Sequence, residues 1–356
     1  MDEIECFSMV IYDKSYREEV QKVISVIPDI TKLFGKSIMI TGATGMICSA
    51  VTELLFGLNK ESNANIRIIL AGRNQERMQQ RFYCFKEGQD YSFLEYDATK
   101  EVGISLSPDY IIHGASPADP ASFINHPVET MFANLIGLKS LLDVAKSNSK
   151  TRLLYISSSE VYGKKEENRP YHETDYGYVD ILNPRACYPS SKRTAETMCA
   201  AYHEEYGVDF VVVRPGHIYG PSITDSDSRA SAQFTRKAKA GENIVLKSAG
   251  TQLRSYTYTL DCASAILTVL VKGECGEAYN ISNPHSIVTI RELAECMAKT
   301  AGVKVVYEQA SDQELKSYNM MDNSSLESAK LENLGWKGLF DLNKGIESTL
   351  SFIKNY

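Results

Sequence analysis

The sequence predicts an α/β fold: a doubly wound parallel sheet over most of the chain, followed by a smaller C-terminal α+β substrate domain. Two features of the pattern predict it. Apolar runs of strand length alternate with amphipathic stretches of helix length, and several runs end in turns rich in Gly, Ser or Asp. In addition, 356 residues of which 43% are hydrophobic can bury a large core in one or two domains.

Residues 1–35 read as a helical N-terminal extension, because "SYREEVQKVISVI" carries helical apolar spacing. "KSIMITGATGMICSAVTELLFGL" then reads as a buried strand, a glycine turn and a helix. Further strand-like runs follow in "IRIILAG", "YSFLEYD", "DYIIHGAS", "RLLYISSS" and "DFVVVRPG". The helical stretches "ETMFANLIGLKSLLDVAKS" and "SSKRTAETMCAAYHEEY" lie between some of them. Such alternation implies a parallel sheet covered on both faces. Residues 36–215 are therefore the expected dinucleotide-binding domain. Residues 216–356, which open on the polar "PSITDSDSRAS", are expected to form mainly the substrate domain, with some segments returning to the sheet.

Composition narrows the function. A formal charge of −7 argues against a general nucleic-acid or membrane-surface role. No apolar run approaches the roughly 20 residues of a membrane span. The acidic start "MDEIECFSMVIYDKSYREEV" is unlike a signal peptide, so a cytoplasmic protein is expected. The eight cysteines are scattered without a CxxC pair and the six histidines lack metal-ligand spacing, so free thiols and no metal are expected.

"TGATGMI" stands between a strand and a helix, the context a phosphate-cradling turn needs. Gly42 permits the tight turn, Gly45 lets the backbone approach a pyrophosphate, and the helix start offers free N–H groups and a positive dipole end. Thr44, Met46 and Ile47 belong to the same candidate site. A third glycine is expected at 48, where the chain has Cys48; cysteine is still small enough for close helix–strand packing. The next strand ends in "LAGRN" instead of an acid. Arg73 there either meets a 2′-phosphate, favouring NADP, or is a plain surface arginine. Asp97, in "LEYDATK", is a candidate acceptor for the adenine amino group.

"YISSSEVYG" places hydroxyls and a carboxylate after a strand, at the end where open parallel sheets hold ligands. Further along, "RACYPSSKRTAE" puts Tyr188 and Lys192 one helical turn apart. Tyr96 and Lys100 have the same spacing but lie at a strand end beside the adenine candidate. Tyr188 is thus the expected base, Lys192 the cation that lowers its pKa, and Ser158 the hydroxyl partner.

With these residues in hand, the chain resembles an extended short-chain dehydrogenase/reductase of the NAD-dependent epimerase/dehydratase family, with a Rossmann-like sheet. The resemblance covers about residues 36–350 through "TGATGMI", "HGASPADP", "SSSEVYG", "YPSSK", "RPGHIYGP", "GTQLRSYTYTLD" and "LGW". "HGASPADPASFINHPVETMFANLIG" and "NPRACYPSSKRTAETMC" are most similar to UDP-glucuronate decarboxylases. The resemblance implies NAD as a cofactor recycled within the site, a nucleotide-diphosphate sugar oxidised at C4, and a homodimer joined by helices. It adds Ala115 and Ser116 to the cofactor site, Glu160 as a catalytic acid/base, and Ser159, His217 and Arg254 to the substrate site. Dehydratases carry an aspartate where Ser159 stands, so dehydration loses its acid. Gly216 and His217 replace the usual Phe-Asn. Decarboxylation is the expected chemistry, with C4 epimerisation as the alternative. A catalytically silent dinucleotide sensor or scaffold is the reading from another class; such a protein has no need of Ser158, Tyr188 and Lys192.

Overall fold

The computed structural model describes residues 13–224, 227–310 and 321–353. Its centre is a seven-stranded sheet, every neighbouring pair parallel. In chain order the strands are β1 (Ser37–Thr41), β2 (Arg67–Gly72), β3 (Ser92–Glu95), β4 (Tyr110–His113), β5 (Arg152–Ile156), β6 (Asp209–Pro215) and a later strand, Ala278–Ile281. Across the sheet the order is Ala278–Ile281, β6, β5, β4, β1, β2, β3. β1 pairs with β2 on one side and β4 on the other, so the winding reverses there. Open parallel sheets bind ligands at such a switch point, outside the carboxyl ends of the strands.

Two helical layers cover the sheet. α1 (Lys14–Ile24), α2 (Met46–Ser62) and a later helix, Thr259–Lys272, share one core, while α5 (Pro127–Ser147) and α6 (Cys187–Tyr206) pack on the other face. Two short helices lie between these in the chain, α3 (Gln75–Arg81) and α4 (Pro120–Asn125).

Residues 1–12 of the expected N-terminal extension lie outside the described residues. The part that is described is built into the body of the protein. Tyr16, Val20 and Val23 form the buried stripe of α1, and the Tyr16 hydroxyl donates to Glu53 of α2 at 2.6 Å. Burial pushes the Glu53 carboxyl up, with Arg81 and the Tyr16 hydrogen bond opposing. Glu19 accepts from Ser348 at 2.6 Å, so α1 bridges the helix after the glycine turn and the C-terminal helix Leu342–Phe352.

After residue 215 the chain adds β7 (His217–Tyr219), helix α7 (Ala230–Lys239), β8 (Ile244–Leu246), β9 (Leu253–Tyr258), α8 (Thr259–Lys272) and β10 (Ala278–Ile281). It continues with β11 (Ile287–Thr289), α9 (Ile290–Ala301), β12 (Val305–Tyr307) and β13 (Asn323–Ser324). β9 pairs with β7, β11 and β13, and β8 pairs with β12. β10 joins the large sheet beside β6, and α8 packs against α2. Both elements cross back over a boundary at 215. Among the described residues, no helix is long and apolar enough to cross a membrane.

Candidate active site

The glycine turn lies at the switch point. Gly42 has φ 70°, and a Cβ there would lie 2.8 Å from the Gly114 carbonyl group. Only glycine relieves both constraints. Gly45 is the N-cap of α2 and supplies no side-chain cap, so the N–H groups from Met46 and Ile47 onward are offered to a ligand. Half-buried Thr44 lies between the two glycines. Cys48 is buried against Gly114, and a Cβ on Gly114 would collide with its Sγ. The space gained by a third glycine in the turn is thus provided from β4. The Thr41 hydroxyl accepts from the Gly114 and Ala115 amides at 3.2 Å each, while Ser116 donates to the Pro117 carbonyl at 2.9 Å. A helix N-terminus without a side-chain cap, behind a turn held open by Gly42 and Gly45, fits a dinucleotide's pyrophosphate.

Arg73 is exposed just beyond β2. Asp97 accepts from the Thr99 amide at 3.0 Å and its hydroxyl at 2.7 Å. Burial pushes the Asp97 carboxyl up, but the Thr99 bonds with the charges of Lys100 and Arg73 hold it below its ordinary value. Tyr96 is buried with its hydroxyl against Gly137, and Lys100 pairs instead with Asp97 at 3.5 Å.

At the carboxyl end of β5, Ser158 caps a short 3₁₀ turn, Ser159–Tyr162. Tyr188 is the second residue of α6, introduced by the turn Pro184–Ala186. The Ser158 hydroxyl lies near enough to the Tyr188 phenol to lower its pKa. Burial drives that phenol up to about 12 and the Glu160 charge adds to this; Ser158, Arg229 and Arg185 pull it down. Lys192, expected to lower this pKa, stands beside the phenol. Its Nζ lies 5.7 Å from the Tyr188 ring centroid and donates to the Ile156 carbonyl at 2.8 Å. Burial lowers the ammonium itself to about 7, opposed by the Glu196 charge. Near neutral pH the lysine is therefore only partly protonated, and the charge it offers its neighbour is partial.

This has a measurable consequence. Lys192 titrates near 10.5 when unfolded and about 7 when folded, so the unfolded chain binds the extra proton between those values. Its contribution to stability is full above 10.5 and is lost as pH falls through about 7. Lys192→Met, stripped of dinucleotide, is expected to melt roughly 2–5 °C above wild type at pH 6, with the gap closing toward pH 10. Thermal unfolding followed by circular dichroism checks this, and a lower Tm at pH 6 would contradict it.

Several groups that the sequence reading passed over complete the site. Asn134 of α5 donates to Ser191 and to the Thr130 carbonyl, each at 3.0 Å, tying α5 to the turn of α6 that carries Tyr188 and Lys192. Arg193 donates to the carbonyls of Val161, Tyr162 and Gly177, pinning the 3₁₀ turn. Glu160 receives both Nη groups of Arg185, at 2.9 and 3.0 Å. Arg185 lay in plain view in "NPRACYPSSK", but the contact joins residues 25 positions apart and left no periodic signal.

Across the cleft, His217 on β7 has a buried Nδ1 without a partner among the described residues. Burial, with Arg254 and Arg229 nearby, lowers it to about 3, so it stays neutral. Gly216 lies where a Cβ would sit 2.7 Å from the Ser255 carbonyl oxygen, which explains a glycine at that departure. Arg254, on β9, is 3% exposed; its Nη1 donates to the Leu253 carbonyl at 2.9 Å. No carboxylate stands within ion-pair distance of it among the described residues. Burial lowers its pKa, so an incoming anion relieves a desolvated charge. Ser159 is buried and offers a hydroxyl in place of a carboxyl.

The chain has recognisable relatives. Residues 38–282 match the model of the NAD dependent epimerase/dehydratase family. The chain is 30% identical to UDP-glucuronic acid decarboxylase 1 of Xenopus tropicalis over 90% of its own length and 72% of the relative's. It is 29% identical to UDP-glucuronic acid decarboxylase 6 of Arabidopsis thaliana, covering 87% of this chain and 86% of that one. Among solved structures, UDP-glucose 4-epimerase of Thermotoga maritima with UDP-glucose superposes with a TM-score of 0.73 at 22% identity, over 89% and 98% of the two chains. UDP-glucuronic acid 4-epimerase of Bacillus cereus, in complex with UDP-glucuronic acid and NAD, gives 0.72 at 20% identity over the same shares. These two likenesses are of fold.

Proposed function

The chain belongs to the NAD-dependent epimerase/dehydratase family, and from that premise we propose that it oxidises a nucleotide-diphosphate sugar at C4 and then decarboxylates it, with UDP-glucuronate as the substrate. The observation that carries this reading is Arg254: a buried guanidinium without a carboxylate in ion-pair contact among the described residues, close enough to Glu160 to feel its charge. A planar fork of this kind suits a carboxylate or diphosphate.

Gly42, Thr44, Gly45, Met46, Ile47, Ala115 and Ser116 would hold the dinucleotide, with Asp97 toward the adenine and Lys192 toward the nicotinamide ribose. Bound NAD supplies a reversible hydride acceptor. We assign NAD over NADP on the family's usage, with exposed Arg73 as the feature that argues the other way. Ser158 holds the C4 hydroxyl and Tyr188 takes its proton. With a ketone at C4, the electrons of the bond between C5 and the carboxylate flow into that carbonyl and CO2 leaves. Glu160 assists the return of a proton to C5; the hydride taken from C4 would then be given back to C4 while Tyr188 returns a proton to its oxygen. Ser159 cannot protonate a departing C6 hydroxyl as a carboxyl does, so dehydration is disfavoured.

A C4 epimerase is the second reading. It is favoured by the two hydrogen bonds from Arg185, which engage both oxygens of Glu160 and leave it less free to shuttle protons. A homodimer through α5 and α6 is supported by exposed Val128, Met131 and Phe132 on α5. One experiment addresses substrate and cofactor together. The purified protein is denatured and its dinucleotide identified by mass, and the native protein is mixed with UDP-, dTDP-, GDP- and CDP-sugars while absorbance near 340 nm is followed. NAD, with a transient rise for UDP-glucuronate, is expected. Recovery of NADP alone would reverse the cofactor assignment, and a response confined to neutral hexoses would favour the epimerase.

A further inference from the structure

We propose that Arg185 is a positioning residue for both acid–base groups, holding the Glu160 carboxylate by a fork-to-fork pair and, through the Phe123 ring, seating the Tyr188 phenol. The inference deepens the reading above and rests on it. Arg185 stands in the turn before α6 with its side chain 15% exposed, and its Nε is buried without a hydrogen-bond partner among the described residues. Its two Nη groups are thereby committed to Glu160. The guanidinium carbon lies 4.7 Å from the centroid of Phe123, a ring in α4 that is 2% exposed. Phe123 in turn stacks on Tyr188 at 4.4 Å and 20°. Guanidinium, phenyl and phenol thus form three layers, fastened further by the Cys187 thiol donating to the Phe123 carbonyl.

The arrangement has an electrostatic effect as well as a steric one. Glu160 faces Tyr188 from the turn after β5, Arg185 from the turn before α6, Arg229 from the segment before α7, Lys192 from α6 and Tyr155 from β5. Glu160 opposes formation of a phenolate, and Arg185, paired to it, cancels part of that opposition. Losing Arg185 leaves the carboxylate charge uncompensated beside the base. A lysine keeps the charge but lacks the planar fork that grips two oxygens and lies flat on a ring.

The test is the pH profile of C4 oxidation, read as cofactor absorbance near 340 nm, in wild type, Arg185→Met, Arg185→Lys and the double variant Arg185→Met/Glu160→Gln. Arg185→Met is expected to move the rising limb toward alkaline pH by about one unit, a roughly tenfold loss at neutral pH. The double variant should return the limb close to its wild-type position. Arg185→Lys should keep the limb in place with a roughly tenfold lower kcat and little change in KM. It also carries the test if Arg185→Met does not fold, since a displaced limb in Arg185→Lys would contradict the proposal. A purely structural role would lower Tm and rate in all three variants without moving the limb, and that result overturns the inference while leaving the proposed function intact. If wild type oxidises no nucleotide sugar, the proposed function falls and the inference falls with it.

Discussion

Tyr188→Phe is expected to lose roughly 10²–10⁴-fold in turnover while retaining dinucleotide and nucleotide-sugar binding. The ring is buried on Phe123 and fixed by its place in the first turn of α6, so removing one oxygen leaves the packing unchanged. What disappears is the group proposed to accept the C4 proton, beside the Ser158 hydroxyl. Single-turnover kinetics separate the two effects: binding isotherms should stay within a few-fold of wild type while the absorbance change near 340 nm becomes slow. Tyr96→Phe is the internal control. Its hydroxyl is buried without a partner among the described residues and packs against Gly137 of α5, so its loss should scarcely alter turnover. Near-normal turnover in Tyr188→Phe would remove the assignment of the base.

Glu160→Gln is the second large effect. The amide keeps the shape of the carboxylate but neither titrates nor pairs as an ion with Arg185. Reprotonation at C5 should therefore slow strongly, on the order of 10²-fold or more. C4 oxidation should stay measurable, because removing the Glu160 charge eases ionisation of Tyr188. The variant is thus expected to accumulate the oxidised species, seen as an absorbance near 340 nm that persists. Loss of the ion pair leaves Arg185 half-buried and uncompensated, so a lower Tm is expected alongside and should be measured with the kinetics. Equal slowing of oxidation and CO2 release would instead place Glu160 at the first step.

Much of this fold was readable from local pattern. The six strand-like runs that carry the sheet from β1 to β6 are short, apolar and bounded by turns, and a buried parallel strand needs little else. The glycine turn was readable because Gly42 and Gly45 answer local backbone demands. Gly114 was not, since its reason is the Cys48 thiol on another element. The return of β10 to the edge of the sheet was expected without an address: "EAYNIS" looks like many short strands, and its partner β6 is far away in the chain.

The site divides in the same way. Tyr188, Lys192, Ser158 and Glu160 could be singled out by type and spacing, but their electrostatics depend on burial that no spacing encodes. Lys192 was expected to activate Tyr188; its spacing gave no sign that burial lowers it to about 7 or that its Nζ donates to the Ile156 carbonyl. Arg185 and Phe123 stood inside quoted stretches, but their roles could not be read there because they depend on a stack assembled from α4, the turn before α6 and the start of α6.

The central claim is that this site breaks the bond between C5 and a carboxylate after C4 is oxidised. Supplying UDP-glucuronate labelled with ¹³C at the carboxyl carbon, and following both labelled CO2 and the mass of the nucleotide sugar, tests it most directly. Labelled CO2 should appear in step with a UDP-pentose. A product of unchanged mass that keeps the label and differs only in configuration at C4, or no reaction while another nucleotide sugar is epimerised by wild type and Glu160→Gln alike, would contradict it.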